Sequence, residues 1–364
     1  VKTDVAVIGG GPAGTAAALT LLRYTKHDVL VVEGTNYELP RPGETVSAAV
    51  VPLLEYLGAW QKIHNEQKLE AYSSEAAWGT QALVSRDFVF TGRGNGWHLD
   101  RRAFDAALAA HVKETGGKLL NRTWLRSVQY QQERWELELR GENGPLCVSA
   151  RQVIDATGRR STFGQRAGAR RKRYDQLVGV LGYFETDDGP GVAHSVLVES
   201  VPTGWWYSAP LPGRQVVAAF MTDADQFRND RLLQKKHFLE QLAATSYTQA
   251  RIRDGRLITG PHVFPAGTQQ LEPCIGPGWV AAGDAAVAFD PLSSLGIGHA
   301  LASGIQAARI ADERLRGSEE LALAFPADVE RHLSMFSMQQ RKVYAMERRW
   351  PEMPFWMRRQ PSSQ

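Results

Sequence analysis

Only two cysteines, Cys147 and Cys274, occur in 364 residues, far apart and without a Cys-x-x-Cys spacing. That scarcity excludes a disulfide framework and a redox dithiol, and both thiols are expected to be buried. Long apolar runs are lacking too. No stretch reaches the roughly 18 residues at which a membrane span is suspected, and Val1 leads straight into a strand pattern with no basic segment followed by an apolar one. A cytoplasmic protein without an integral membrane part is therefore expected. Net charge is small, with 42 Lys and Arg against 39 Asp and Glu. This gives no reason to expect nucleic acid as a partner. One basic run, Arg166, Arg170, Arg171, Lys172 and Arg173, reads as a solvated loop or an anion clamp near a cofactor. None of the nine histidines shows metal-ligand spacing and no Ser-His-Asp order appears, so no metal is expected.

What is present is an ordinary globular composition, 43% hydrophobic and 22% charged, long enough for two connected domains. Val5 to Ile8 form a short apolar run bounded by glycines, the pattern of a strand buried on both faces of a parallel sheet. Pro12 to Tyr24 read as a helix and Val29 to Val32 as the next strand, completing a βαβ unit. Residues 49 to 70 look mainly helical, 76 to 90 strand-like, 101 to 115 helical with apolar residues at helical spacing, and 118 to 157 and 177 to 222 strand-rich. Helices are expected over 231 to 244 and 300 to 316. The α/β signals at the start, near 155 and near 283 are separated by strand-rich segments. The expected fold is α/β, a Rossmann-like dinucleotide-binding domain with an inserted β-sheet substrate domain and C-terminal helices. Its cofactor domain is discontinuous, 1–70, 100–175 and 270–320, with 71–99 and 176–269 as substrate domain and 321–364 as a helical appendix.

Between the first strand and helix lies Gly9-Gly10-Gly11-Pro12-Ala13-Gly14. Gly9 permits a tight turn, Gly11 lets backbone approach a diphosphate, Gly14 lets helix and strand pack closely, and the amides at the helix N-terminus meet the phosphate charge. Glu33 follows 19 residues after Gly14, where a carboxylate accepts hydrogen bonds from ribose hydroxyls and repels a 2′-phosphate. FAD or NAD is expected there, not NADP. Trp205, Trp206 and Tyr207 would build an aromatic wall on a substrate side, and Glu44, His98 and His299 are candidates for proton handling.

Asp155-Ala156-Thr157-Gly158 and Gly278-Trp279-Val280-Ala281-Ala282-Gly283-Asp284-Ala285-Ala286 resemble the second and third fingerprints of flavoprotein hydroxylases, within the superfamily of aromatic hydroxylases, flavin-dependent halogenases and geranylgeranyl reductases. The resemblance implies FAD as cofactor, Gly283 and Asp284 at its ribityl or pyrophosphate region, and the loop Asp290-Pro291-Leu292-Ser293-Ser294-Leu295-Gly296-Ile297-Gly298 beside the isoalloxazine, with amides near Gly296 and Ile297 facing negative charge on reduced flavin. Arg41 and Arg102 stand where the family keeps arginines near the cofactor. Trp205-Trp206-Tyr207-Ser208-Ala209-Pro210 is similar to a degenerate tryptophan-halogenase signature, yet no lysine occurs between Ala71 and Gly79, where halogenases carry theirs, and Lys68 is displaced. The closing segment Glu347 to Arg359 resembles the tails of maturation flavoproteins for tryptophylquinone enzymes, of the lysine-ε-oxidase or glycine-oxidase maturase type.

That likeness implies an FAD-dependent monooxygenase hydroxylating a tryptophan side chain of a precursor protein, or a small aromatic substrate, with molecular oxygen and with NADH or NADPH as candidate reductant. Alternatives are a halogenase or reductase acting on a small molecule, and a flavin-bearing maturation chaperone without oxygenase activity. The alternating arginines and aromatics of the tail would clamp the flavin domain by cation–π contact, form a docking surface, or simply pack.

Overall fold

A computed structural model describes the chain except residues 66–67, 93, 143, 187–193, 295 and 361–364. The apolar run Val5 to Ile8, no more than 3% exposed, has no polar face to offer water, so its strand Lys2–Ile8 lies inside a parallel sheet. It is flanked by Val29–Val32 and by the C-terminal part of Gly144–Asp155, with Trp279–Ala281 and Lys118–Leu120 continuing the parallel order outward. The hairpin Trp124–Gln131 and Arg134–Gly141 pairs antiparallel with the early part of Gly144–Asp155. In register, Ile8 stands beside Val32 and Asp155, and Asp155 beside Ala281. The glycine turn after Ile8, Glu33, Ala156 and Ala282 therefore emerge side by side at the carboxyl ends of the strands, the edge where such sheets bind ligands.

Helix Pro12–Tyr24 and helix Gly296–Leu315 cross against this sheet. The crossing is close because Gly304 has no side chain, and a Cβ there would collide with the Ala13 carbonyl. Helix Arg101–Glu114 starts from an Asp100 cap, whose carboxylate accepts from the Arg102 amide at 2.8 Å.

The second sheet has seven strands in the order Arg256–Pro265, Leu177–Glu185, Gln215–Asp223, Gly204–Leu211, Ser195–Val201, Ser73–Ala77 and Val84–Asp87. Neighbours run antiparallel except Ser195–Val201 with Ser73–Ala77. Alternation along its strands makes two cores. Leu181, Tyr183, Trp205, Ala209, Val217 and Met221 share one with the C-terminal residues Tyr344, Phe355 and Trp356. Val180, Phe184, Trp206, Val216 and Phe220 share the other with Phe238, Leu242 and Ile252 from two short helices. A three-stranded sheet, Thr45–Val46, Gly96–Leu99 and Lys68–Ala71, packs beside strand Gly204–Leu211. The chain ends in the long helix Glu320–Met346 and the single turn Pro354–Met357. Among the described residues no helix is long and apolar enough to cross a membrane.

The expected α/β architecture is what the structure shows, with local corrections. Among the described residues from 49 to 70, helix is confined to the end of the 3-10 turn Ala48–Val50 and to the short helices Val51–Tyr56 and Trp60–Asn65, and a strand begins at Lys68. The helix expected from 231 begins at Lys235, because Arg231 has φ +49° and cannot enter a right-handed helix. Cys274 is buried but Cys147 is exposed, on the outward side of its strand. Of the basic run, Arg170 to Arg173 form a strand at the edge of a small sheet with Gln269–Glu272 and Val287–Ala288, while Arg166 ends the short helix Thr162–Arg166.

Candidate functional site

The glycine turn is shaped by contacts that a side chain would break. Gly9 has φ +109°, and a Cβ on it would strike the Ala156 carbonyl. A Cβ on Gly14 would strike the Gly9 carbonyl, and one on Gly10 the Tyr37 hydroxyl. Gly11 differs: its φ is −75°, and nothing lies nearer its missing Cβ than Arg41 Nη1 at 3.7 Å. Open space beside Gly11, at the start of a helix whose N-cap has no side-chain partner, is the cradle a diphosphate requires.

Glu33 is 6% exposed and fully engaged. Its Oε2 accepts from the Gly10 amide at 2.8 Å, and its Oε1 from the Thr35 amide at 3.0 Å, the Thr35 hydroxyl at 2.6 Å and Arg41 Nη2 at 2.8 Å. Arg41 also reaches Asp105 Oδ2 at 3.3 Å. Arg101, which the sequence reading passed over, grips the buried Asp105 through Nε and Nη2 at 3.1–3.2 Å. The only sequence signal was its i,i+4 spacing to Asp105 on helix Arg101–Glu114. Arg102 is turned to Asp100 at 2.7 Å and is half exposed. Arg41, Arg101, Arg102 and Glu44 line one cavity of about 290 Å³ with Tyr183 and Leu211 of the antiparallel sheet.

The three distant fingerprints meet. Asp155 is a buried strut: its carboxylate accepts from the Thr157 amide at 3.0 Å, the Thr157 hydroxyl at 2.6 Å and the Gly164 amide at 2.7 Å, and burial raises its pKa. Gly283, at φ +58°, lies so near Ala13 that a Cβ would come within 3.0 Å of that side chain, and its amide donates to Ser303 Oγ at 2.8 Å. Asp284 is one-third exposed and faces Arg159 Nε at 3.4 Å, an arginine not foreseen. Gly296 is exposed with open space at its Cβ position, and Ile297 is buried. A Cβ on Gly43 would stand 4.0 Å from Ile297, so the Arg41–Glu44 turn abuts this helix start. Leu295 lies outside the described residues. His299 packs edge-on against Phe289 with ring centroids 5.0 Å apart. Its Nε2 is buried without a hydrogen-bond partner, and burial lowers its pKa.

On the antiparallel sheet the expected aromatic wall is corrected by strand alternation. Trp205 and Tyr207 face the parallel-sheet side, whereas Trp206 points away and stacks on Phe220 at 5.0 Å in the other core. The Tyr207 hydroxyl and Thr45 Oγ1 are 2.9 Å apart, and Thr45 Oγ1 shares a 2.9 Å hydrogen bond with His98 Nδ1. His98 is wholly buried and its pKa falls to about 3, mainly from burial and then from Arg251, so the ring is neutral. Glu44 is buried one residue before Thr45. Its Oε1 accepts from the Tyr183 hydroxyl at 3.0 Å and its Oε2 from the Gly43 amide at 2.9 Å, and burial raises its pKa. Glu44 and His98 thus share one polar seam with Tyr183, Thr45 and Tyr207, whereas His299 stands apart beside Phe289, and Trp206 lies in the far core of the antiparallel sheet. Lys68 points elsewhere, its ammonium 5.4 and 5.1 Å from the ring centroids of Trp60 and Trp97.

The tail packs on the antiparallel sheet rather than on the parallel one. Arg359 lies 3.7 Å over Phe355 and bonds Asp223 at 2.7 Å, Trp356 Nε1 donates to the Val201 carbonyl at 2.9 Å, and the buried Glu347 accepts from Arg349 and Ser200.

A glycine-rich strand-to-helix turn, a buried acid closing the next strand and a Gly-Asp turn packed against the start of that helix define an FAD-dependent oxidoreductase. The chain belongs to the family described as FAD binding domain, which it matches over residues 2–334. It is 31% identical over 98% of its length to the putative FAD-dependent oxidoreductase LodB of Marinomonas mediterranea, covering 96% of that protein. It is 25% identical over 337 residues to the tryptophan 2-halogenase of Chondromyces crocatus, 89% of this chain and 63% of that one. Among solved structures, the peptidyl tryptophan dihydroxylase QhpG, essential for tryptophylquinone cofactor biogenesis, has the same fold at TM-score 0.80 and 24% identity, with 100% of this chain and 80% of that one covered. The myxobacterial chondrochloren halogenase CndH has it at TM-score 0.90 and 22% identity, covering 100% and 86%.

Proposed function

We propose that this flavoenzyme is a monooxygenase that hydroxylates an indole, the tryptophan side chain of a partner precursor protein during tryptophylquinone biogenesis, with NADH or NADPH as reductant. The full-length likeness to an FAD-dependent oxidoreductase supports the class. The fold shared with a peptidyl tryptophan dihydroxylase suggests the substrate. The observation that carries hydroxylation over halogenation is the seat of Lys68, on Trp60 and Trp97 and away from the cavity lined by Glu44 and Tyr183.

In this reading Gly9, Gly11, Pro12, Ala13 and Gly14 receive the FAD diphosphate, Glu33 the ribose, Arg41 and Arg102 neighbouring anionic or ring atoms, and Gly283, Asp284, Gly296 and Ile297 the ribityl and ring end. FAD, when bound and reduced, supplies the activation of molecular oxygen. The protein's part is to exclude water and orient the ring. Tyr183 and Leu211 wall the cavity on the sheet side, and Glu44, hydrogen-bonded to Tyr183 in a buried seam, takes the proton that the hydroxylated ring carbon releases. The test is co-expression with a candidate precursor protein encoded beside this chain and measurement of that partner's mass under labelled oxygen. Label in the partner supports the proposal. A matured but unlabelled partner supports a chaperone, and a halogen mass shift a halogenase.

A further inference from the structure

The turn Asp290–Ser294 and the helix Gly296–Leu315 that comes after it in the chain are held in different ways. The helix is locked by its close crossing of Pro12–Tyr24. The turn starts at Asp290, 1% exposed, with no ion-pair partner among the described residues. Its carboxylate is held by three donors: Oδ1 accepts from the Leu292 amide at 2.9 Å, and Oδ2 from Gln340 Nε2 at 2.9 Å and the Tyr344 hydroxyl at 2.7 Å. Two of the three come from helix Glu320–Met346, outside the turn. The Tyr344 oxygen in turn accepts from Trp205 Nε1 at 3.0 Å, and Arg359 lies over the Tyr344 ring at 5.2 Å. One buried hydroxyl therefore ties together the turn, the antiparallel sheet and the C-terminal segment. Ser294 takes a left-handed conformation, φ +52°, where it closes the short turn Pro291–Ser293, its amide donating to the Pro291 carbonyl at 3.0 Å.

We infer that Tyr344, with Gln340, is a positioning residue: by holding Asp290 it sets the turn Asp290–Ser294 in place toward the flavin, and so couples the tail packed on the sheet to the cofactor. This rests on the reading that the turn flanks the flavin. Phenylalanine at 344 keeps the ring but leaves Asp290 short of a donor and the Trp205 indole N–H without its acceptor, both buried. The turn then has to be ordered by FAD itself, which weakens binding.

The test uses the full chain and FAD. Tyr344→Phe is expected to bind FAD about tenfold to a hundredfold more weakly, to change the visible circular dichroism of bound flavin, and to reduce the gain in Tm that FAD brings. Asp290→Asn and Tyr344→Phe together should weaken binding by less than the product of the two single effects. Equal falls in Tm with and without FAD, at native affinity and native flavin spectrum, would mean that Tyr344 only packs, and would overturn the inference. If Tyr344→Phe does not fold, Gln340→Leu gives the same readout, and native FAD affinity in that variant overturns it equally. A native chain that takes up no FAD sinks the cofactor reading and this inference with it, whereas native affinity in the variants sinks this inference alone.

Discussion

Replacing Gly11 and Gly14 separately distinguishes a glycine needed by the fold from one needed by the ligand. A Cβ on Gly14 would collide with the Gly9 carbonyl, backbone that cannot give way, so Gly14→Val overpacks the helix–strand contact and costs at least about 1–3 kcal/mol of stability. Gly11 has φ −75° and ψ −172°, an extended geometry any residue adopts, with 3.7 Å to the nearest atom. Gly11→Val therefore costs the fold no more than a weakened N-cap, about 1 kcal/mol or less. Its methyl groups instead fill the space a diphosphate would use. If two charge-assisted hydrogen bonds from the helix start are lost, each about 1.5–3 kcal/mol, affinity falls by roughly 10²–10⁴-fold. The assay pairs urea unfolding of the FAD-free chain with FAD titration. Gly11→Val should be folded and colourless. A Gly11→Val protein with native FAD affinity, or one as unstable as Gly14→Val, would refute the assignment.

Glu33→Gln should lower both FAD affinity and stability, the latter by about 1–3 kcal/mol, because the carboxylate also holds Gly10, Thr35 and Arg41; denaturant melts without FAD check this, and unchanged stability would count against it. His98 has a folded pKa of about 3, below its unfolded value of about 6.5. Between these values the unfolded chain binds the extra proton, so stability is lost as pH falls, by about 1.4 kcal/mol per unit from this group. His98→Gln should flatten that slope, and an identical pH–stability curve would refute the buried neutral ring. Trp206→Phe should cost less stability than full truncation, which costs about 3–5 kcal/mol, and leave FAD affinity and turnover intact. A loss of turnover in the folded variant would contradict its place in the far core.

The cofactor half was legible from the chain because its signals are local. The apolar run Val5 to Ile8, the glycines at 9, 11 and 14 and the acid at 33 are dictated by the geometry of one βαβ unit and one ligand. The FAD-binding class followed by resemblance, which implied the Gly283-Asp284 turn at the cofactor, and the structure sets Gly283 against Ala13 of the first helix. Less was legible where partners are distant in sequence. Arg101 and Arg102 are adjacent and chemically alike, and only the direction of the first helical turn turns Arg101 to Asp105 and Arg102 to Asp100. Trp205 and Trp206 differ only in strand parity, which decides that one meets Tyr344 and the other Phe220.

Sequence by itself determined the dinucleotide turn, the buried parallel strands and the acid that closes the second strand, because backbone sterics and hydrophobic periodicity act over a few residues. Tertiary structure alone decided that Glu33 is tied to Arg41, that Glu44, Thr45 and His98 form one seam with Tyr183 and Tyr207, and that the tail reaches the turn Asp290–Ser294 through Tyr344. Those pairings join residues up to 162 positions apart, and only the packing of two sheets brings their side chains within hydrogen-bonding distance.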